Sequence, residues 1–385
     1  MTSSVVAALL LAITACTSAS TNFPRIDPAD LSDDITVTQA NVVEASLERY
    51  DRLNRIAWPL LTANAELCHD RQREAYGITF GNDETIRGLV DGLSLEQVQA
   101  IGYDQTIQVI GVSGGSPAFD AGLIRGAVPI KIGETVVDGQ MEALETALRK
   151  DKTARAVAAK TELNANPLPM VFEQDGQRFE IALQPETICD VRLRLSETDT
   201  INASAGRRVI KINRGIMTYL SDDRDLSIVI AHELGHVAGK HVPKLTRNHW
   251  VSGRAIWGLP VRLGAGLFDL GFGGLFERFG DRETPPGRVA VSRLNNRALG
   301  LRDFEREADY LAVYFAARAG VDLDGFEALF MRLSELSARS TYGERSHPIT
   351  SERKLALQLA RDEVNRKREA GAPLVPEGWP FPLTD

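Results

Sequence analysis

The stretch Val229-Ile230-Ala231-His232-Glu233-Leu234-Gly235-His236 sets two histidines four residues apart, with a glutamate directly after the first. On a helix such positions share a face, so both imidazoles can reach one cation. Imidazole pairs suit zinc, and a carboxylate beside the metal suits the proton transfers of hydrolysis. A bare H-E-x-x-H arises by chance in on the order of one chain in a hundred, so its surroundings decide. Here Ser221 or Asp222 can cap a helix, and acids run through Asp225 in its first turn. Leu226, Ile228, Val229 and Ile230 then bury it. Gly235 is a poor helix former inside the motif and predicts another backbone passing close. A buried histidine pair without metal would need two separate hydrogen-bond partners. One shared Zn2+ per chain answers for both.

A catalytic zinc needs a third protein ligand and keeps one position open. The run Asp303-Phe304-Glu305-Arg306-Glu307-Ala308-Asp309 predicts a second helix, capped by Asp303 and stopped near Gly320. Glu305, Ala308, Asp309, Ala312 and Phe315 share one face of it. Two carboxylates among small and apolar residues are odd for a solvated surface and suit a face turned towards a buried cation; the alternative is a wet acidic edge. Glu307 competes as ligand, but it points roughly 160° away from Asp309 and fits a solvent face better.

A chain of 385 residues predicts two domains or three. The net charge of −8, with no basic block, excludes nucleic acid as a partner. The apolar run ending at Cys16 is too short to span a bilayer and suits a signal-peptide core. Ile13-Thr14-Ala15-Cys16 resembles a bacterial lipobox, in which the cysteine carries lipid. On that reading residues 1–16 are a lipoprotein signal peptide and 17–38 a tether. The protein is then lipid-anchored to a membrane of the bacterial cell envelope and faces the periplasm. Thr17 after the cysteine favours the outer membrane. The competing reading is a frayed apolar terminus. With Cys16 spent, Cys68 and Cys189 form an even pair in an oxidising setting, either bridged or two buried thiols.

Residues 39 to 67 predict a helix with Leu47, Leu53, Ile56 and Leu60 on its apolar stripe, kinked or divided at Pro59. After Cys68 short β-type runs alternate with glycines, and two strands are predicted around Asp175-Gly176. Gly115-Ser116-Pro117-Ala118-Phe119-Asp120-Ala121-Gly122-Leu123, followed by Ile130-Lys131-Ile132-Gly133, resembles protease-associated PDZ domains. Ala127 and Pro129 depart from that pattern. The resemblance implies a strand, a turn, a short helix from Pro117 and another strand. Such a module binds extended peptides by adding them to a sheet edge; the alternative is a spacer that shapes the cleft.

With H-E-L-G-H at 232 to 236 and E-R-E-A-D at 305 to 309, the chain resembles the zinc metallopeptidases that include HtpX and the CAAX prenyl proteases. "NASAGRRVIKINRGIMTYL" before the motif and "SHPITSER" after it extend the resemblance over residues 188 to 360. It implies that His232, His236 and Glu305 bind zinc, that Glu233 is the general base, and that Asp309 orients a ligand histidine. His347 or Arg353 would support the oxyanion. His347 could instead cap the metal or merely start a helix, and Arg353 could be a structural ion pair. Residues 207 to 213 would serve as an edge strand holding substrate. His241 reads as structural or exposed, and His69 and His249 have no metal spacing. Residues 251–288 are apolar but too charged to span a membrane, and read as a lid or a buried hairpin.

The expected architecture is α+β: a mainly helical zincin-type peptidase domain from residues 39–75 and 188–385 with a small sheet, and a β-rich PDZ-like insert at 76–187. The expected function is zinc-dependent hydrolysis of peptide bonds in envelope protein quality control, with protein or peptide substrates. The alternative is a periplasmic chaperone or adaptor that binds peptides through the insert. Oligomeric state is not legible.

Overall fold

The computed structural model describes residues 32–69, 71–90, 92–160, 167–244, 301–339 and 351–379. Cys16, His249, residues 251–288 and His347 lie outside them. The chain opens with helix α1 (Ser32–Ala63), which starts ahead of the predicted residue 39 and is not divided at Pro59. Its stripe is buried as the spacing requires: Leu47, Leu53, Ile56 and Leu60 face other elements. A 3-10 turn (Ala65–Cys68) follows.

Next come β1 (Gln72–Ala75), β2 (Ile78–Gly81), α2 (Asp83–Leu89), α3 (Leu95–Ala100) and β3 (Gln108–Val112). They lead into α4 (Pro117–Asp120), β4 (Val128–Ile132), β5 (Thr135–Val136) and α5 (Met141–Lys160). The region ends with β6 (Leu168–Gln174), β7 (Gln177–Leu183) and β8 (Glu186–Cys189). The Ser116 side chain caps α4, with Pro117 at its first turn. Strands pair in the order β5-β4-β6-β7, while β2 pairs with β3. Asp175 and Gly176, both at positive φ, turn the β6–β7 hairpin; the twist of adjacent strands favours such a turn.

The two ends of this region meet. β1 pairs antiparallel with β8, Gln72 opposite Cys189 and Ala75 opposite Glu186. A disulfide joins Cys68 to Cys189 at the base of that pair. The chain thus leaves and rejoins the helical body through one clamped neck.

The body continues with β9 (Arg192–Ser196), β10 (Ala203–Ala205), β11 (Val209–Asn213), α6 (Arg214–Tyr219) and α7 (Asp223–Ala238). After residues 245–300 come α8 (Leu301–Arg318), α9 (Phe326–Arg339) and α10 (Ser351–Glu369). Strand order is β10-β11-β9, antiparallel then parallel. The expected edge strand, β11, is therefore central, with both sides used in pairing. β10 lies at the sheet's end and packs on α7. Sheet order is a non-local property, which alternation along one strand does not encode.

The architecture is mixed α+β with small sheets. Its largest apolar core joins the second half of α1, both bridged cysteines, β11 and helices α7 to α10. A second core fills the β3–β7 region. Val43 and Leu47 of α1 belong to a third, with Ile86, Val90, Val98 and Ile110. Helix α1 is thus shared: one half packs on the β region and its small helices, the other on the body. Arg125 ties the β region to α1 by ion pairs to Glu44 and Asp51. Among the described residues no helix is long and apolar enough to cross a membrane.

Candidate metal centre

Helix α7 begins where its sequence demands. Of the two possible caps, Asp222 takes the position, its side chain accepting from the Arg224 amide. Asp223 and Asp225 follow in the first turn, against the positive end of the helix dipole. From Leu226 to Ala238 every residue is buried. Helix α8 packs across it, and the contact falls at Gly235 and the Ala308 backbone. Helix α8 starts before Asp303, which sits in its first turn and pairs with Arg306. Gly320, at φ 74°, lies just past its end.

That packing brings three donor atoms together. His232 Nε2 and His236 Nε2 are 3.1 Å apart. Glu305 Oε2 lies 3.5 Å from the first and its Oε1 3.4 Å from the second. Ligand atoms about 2.0–2.1 Å from a tetrahedral zinc stand about 3.3–3.4 Å apart, so the triangle has the right size for such an ion. His232, His236 and Glu305 are all buried, and they form a group that could hold a metal ion. The site also demands positive charge. Burial alone would lower the pKa of His232, but Asp309 and Glu305 outweigh it and raise it to about 10. A cation shared by the donor atoms meets the same demand without that proton.

Behind His232 stands a rigid support. Its Nδ1 lies 3.0 Å from Asp309 Oδ1. Asp309 is fully buried and gripped by Arg353 of α10, with Nε 2.6 Å from Oδ2 and Nη2 2.7 Å from Oδ1. Arg353 Nη1 also lies 3.2 Å from Glu305 Oε2. Burial opposes the guanidinium charge, but Asp309, then Glu305 and Glu233, raise its pKa above the ordinary value. A planar five-donor fork matches two carboxylates in a way that a point charge cannot. Phe330 of α9 packs against the His232 ring at 5.4 Å between centroids. Glu233, between the two histidines in sequence, is buried within reach of the Arg353 charge.

Behind His236 the support is of another kind. His236 Nδ1 lies 2.9 Å from Nδ1 of His241, which is itself fully buried. His241 Nε2 lies 3.2 Å from Glu307 Oε1, and Lys244 Nζ lies 3.3 Å from the same oxygen. Glu307 is therefore not on a solvent face as its helical angle suggested, and burial rules out exposure for His241. Helix α7 ends at Ala238, and Lys240 adopts φ 55°, reversing the chain. A helical projection carried past that point misplaces everything after it. The Gly-Lys pair at 239 and 240 was the signal that the helix stops there.

Of the residues singled out from sequence, His232, Glu233, His236, Glu305, Asp309 and Arg353 converge on one buried place. Cys68 and Cys189 meet at the neck, and His69 stacks on Trp379 at 5.1 Å between centroids. No curated protein matches the chain. Residues 180–360, which carry every residue of the metal centre just described, match the model of Peptidase family M48, and that match supports a metallopeptidase function.

Proposed function

We propose that the protein is a zinc-dependent endopeptidase whose metal ligands are His232, His236 and Glu305. The observation that carries this reading is the triangle of 3.1, 3.4 and 3.5 Å between their donor atoms, closed by residues from two separate helices. A bound zinc ion would supply Lewis acidity, polarising the scissile carbonyl and lowering the pKa of an attacking water. Glu233 takes the proton from that water and passes it to the leaving amine. Asp309 holds His232 with its ring nitrogen presented inward. Arg353, with its nitrogens against Asp309 and Glu305, positions these two carboxylates. Of the two candidates for oxyanion support, Arg353 is already engaged with these carboxylates, and His347 lies outside the described residues. An extended substrate would lie against β10, the strand at the end of the sheet beside α7.

The expected setting is the periplasmic side of a bacterial envelope, with Cys16 lipidated and unfolded or misassembled envelope proteins as substrates. The disulfide suits such an oxidising compartment. The decisive experiment is metal analysis of purified protein beside casein digestion. Wild-type protein is expected to carry about one zinc per chain and to digest casein until a chelator removes the metal. Glu233→Gln is expected to keep the metal and lose digestion. Full activity in that variant sinks the reading.

A second reading has its own support. A cleft of about 790 Å3 is lined by Ile78, Thr79 and Phe80 of β2 together with Trp58, Arg73 and Leu148. A PDZ-like β region would take an extended peptide along such a strand, which is the adaptor reading. Capture of peptides by Glu233→Gln protein, with no cleavage by wild type under any metal load, favours it.

A further inference from the structure

The geometry points to His241 as a positioning residue: together with Glu307 it sets the tautomer and ring angle of His236 from behind the metal centre. This rests on the metal ligands assigned above.

The argument follows the protons. His236 Nε2 faces His232 Nε2 and Glu305, so a metal-binding His236 presents its lone pair there and carries its proton on Nδ1. The partner at that Nδ1 is His241 Nδ1, 2.9 Å away. A ring nitrogen in that place must accept, which puts the His241 proton on Nε2. That nitrogen lies 3.2 Å from Glu307 Oε1, a carboxylate contact that is off-line for a hydrogen bond. The His236–His241 hydrogen bond thus sets the tautomer, and Glu307 places its negative charge on the side of the ring that carries the His241 proton. Lys244 closes the chain with its charge 3.3 Å from Glu307.

The surroundings hold His241 in this pose. Its ring stands at 84° to that of His236, which points its edge at the ligand. Phe304 stacks on it at 4.7 Å and 22°. A Cβ on Gly239 would fall 2.4 Å from His241 Nε2 and 2.9 Å from Glu307 Oε1, so the turn leaves room for this contact only as glycine. The two ligand histidines thus have separate supports, a carboxylate gripped by arginine for His232 and a second imidazole for His236. Partners of this kind typically change metal affinity 10- to 100-fold.

The test uses the full chain and two readouts that do not depend on activity. Zinc affinity is measured by competition with a chromogenic chelator, and ligand geometry by the visible absorption of the cobalt(II)-loaded protein. His241→Phe keeps the stack on Phe304 and removes both ring nitrogens. It is expected to weaken zinc binding 10- to 100-fold and alter the cobalt spectrum, with the metal-free unfolding midpoint little changed. Glu307→Gln keeps an acceptor oxygen and is expected to restore most of the affinity that Glu307→Leu loses. Should His241→Phe fail to fold, the Glu307→Leu and Glu307→Gln pair reads the same chain from its far end. Zinc binding as tight as wild type with an unchanged cobalt spectrum, in His241→Phe or in Glu307→Leu, overturns the inference. A wild-type chain that binds no zinc overturns the ligand assignment itself, which is a different result.

Discussion

A Cβ built on Gly235 would lie 2.7 Å from the carbonyl oxygen of Ala308, closer than real side chains come to backbone. The helix carrying the two histidines and the helix carrying the carboxylates meet at this point, and no flexible side chain is there to yield. Gly235→Ala must push α8 outward or strain both helices. The expected cost is about 1–3 kcal/mol of stability, as for overpacked cores, with weaker zinc binding because Glu305 moves with α8. Urea unfolding and a metal titration on the same variant check this. An alanine variant with wild-type stability and affinity would falsify the close-approach account.

The grip of Arg353 on Asp309 gives a second expectation. Both are nearly inaccessible to water, Arg353 at 3% and Asp309 at 0% exposure, so neither charge has solvent to fall back on. Arg353→Met strands a buried carboxylate and should destabilise the metal-free protein by about 3–5 kcal/mol. Arg353→Lys should recover only part of that, since an ammonium cannot serve two oxygens in one plane. Chemical denaturation of the three proteins decides. Equal recovery by lysine would mean that charge alone matters.

The bridge between Cys68 and Cys189 spans 121 residues of sequence. In the chain-entropy model, closing so long a loop contributes roughly 4–5 kcal/mol. Reduction, or replacement of both cysteines by serine, should lower the urea midpoint accordingly. Unfolding followed with and without reductant measures it, and a midpoint that does not move refutes the estimate.

A pH dependence comes from Glu363 on α10. Burial alone would raise its pKa, but hydrogen bonds from Tyr314, Lys367 and Tyr310 outweigh that and hold it below the ordinary 4.5. A carboxylate lowered on folding contributes stability above its unfolded pKa and loses it as pH falls through the folded value. Glu363→Gln should therefore be less stable than wild type by about 1–2 kcal/mol near neutrality. The gap should stay level down to about pH 4.5 and close below it. Thermal melts of both proteins from pH 7 to 3 test the sign; a gap that widens on acidification contradicts it.

Much of this centre was legible because it is local. The spacing of His232 and His236 with the glycine between them, and the shared face of Glu305 and Asp309, are each set within a turn or so of a single helix. The Asp175-Gly176 hairpin and the Pro117 helix start were legible for the same reason: turn and cap chemistry sit in a few adjacent residues. What could not be read depends on distant partners. β11 looked like an edge strand because alternation says nothing about what pairs on either side. Arg353 stayed undecided between oxyanion donor and ion pair until its distance to Asp309 was known. His241 was projected past the end of its helix, which stops before Lys240, and Glu307 looked solvent-facing because nothing in its own helix shows that His241 and Lys244 cover that face.

Helix α8 carries Glu305, Glu307 and Asp309 at alternate positions: Glu305 reaches both His232 and His236, Glu307 faces His241, and Asp309 faces His232 from behind. These contacts are consequently geared to a single shaft. Any axial slip or roll of α8 disengages a ligand and both outer supports in the same motion. A half-assembled centre has no stable geometry to occupy, and the site should switch between competent and incompetent as one cooperative unit.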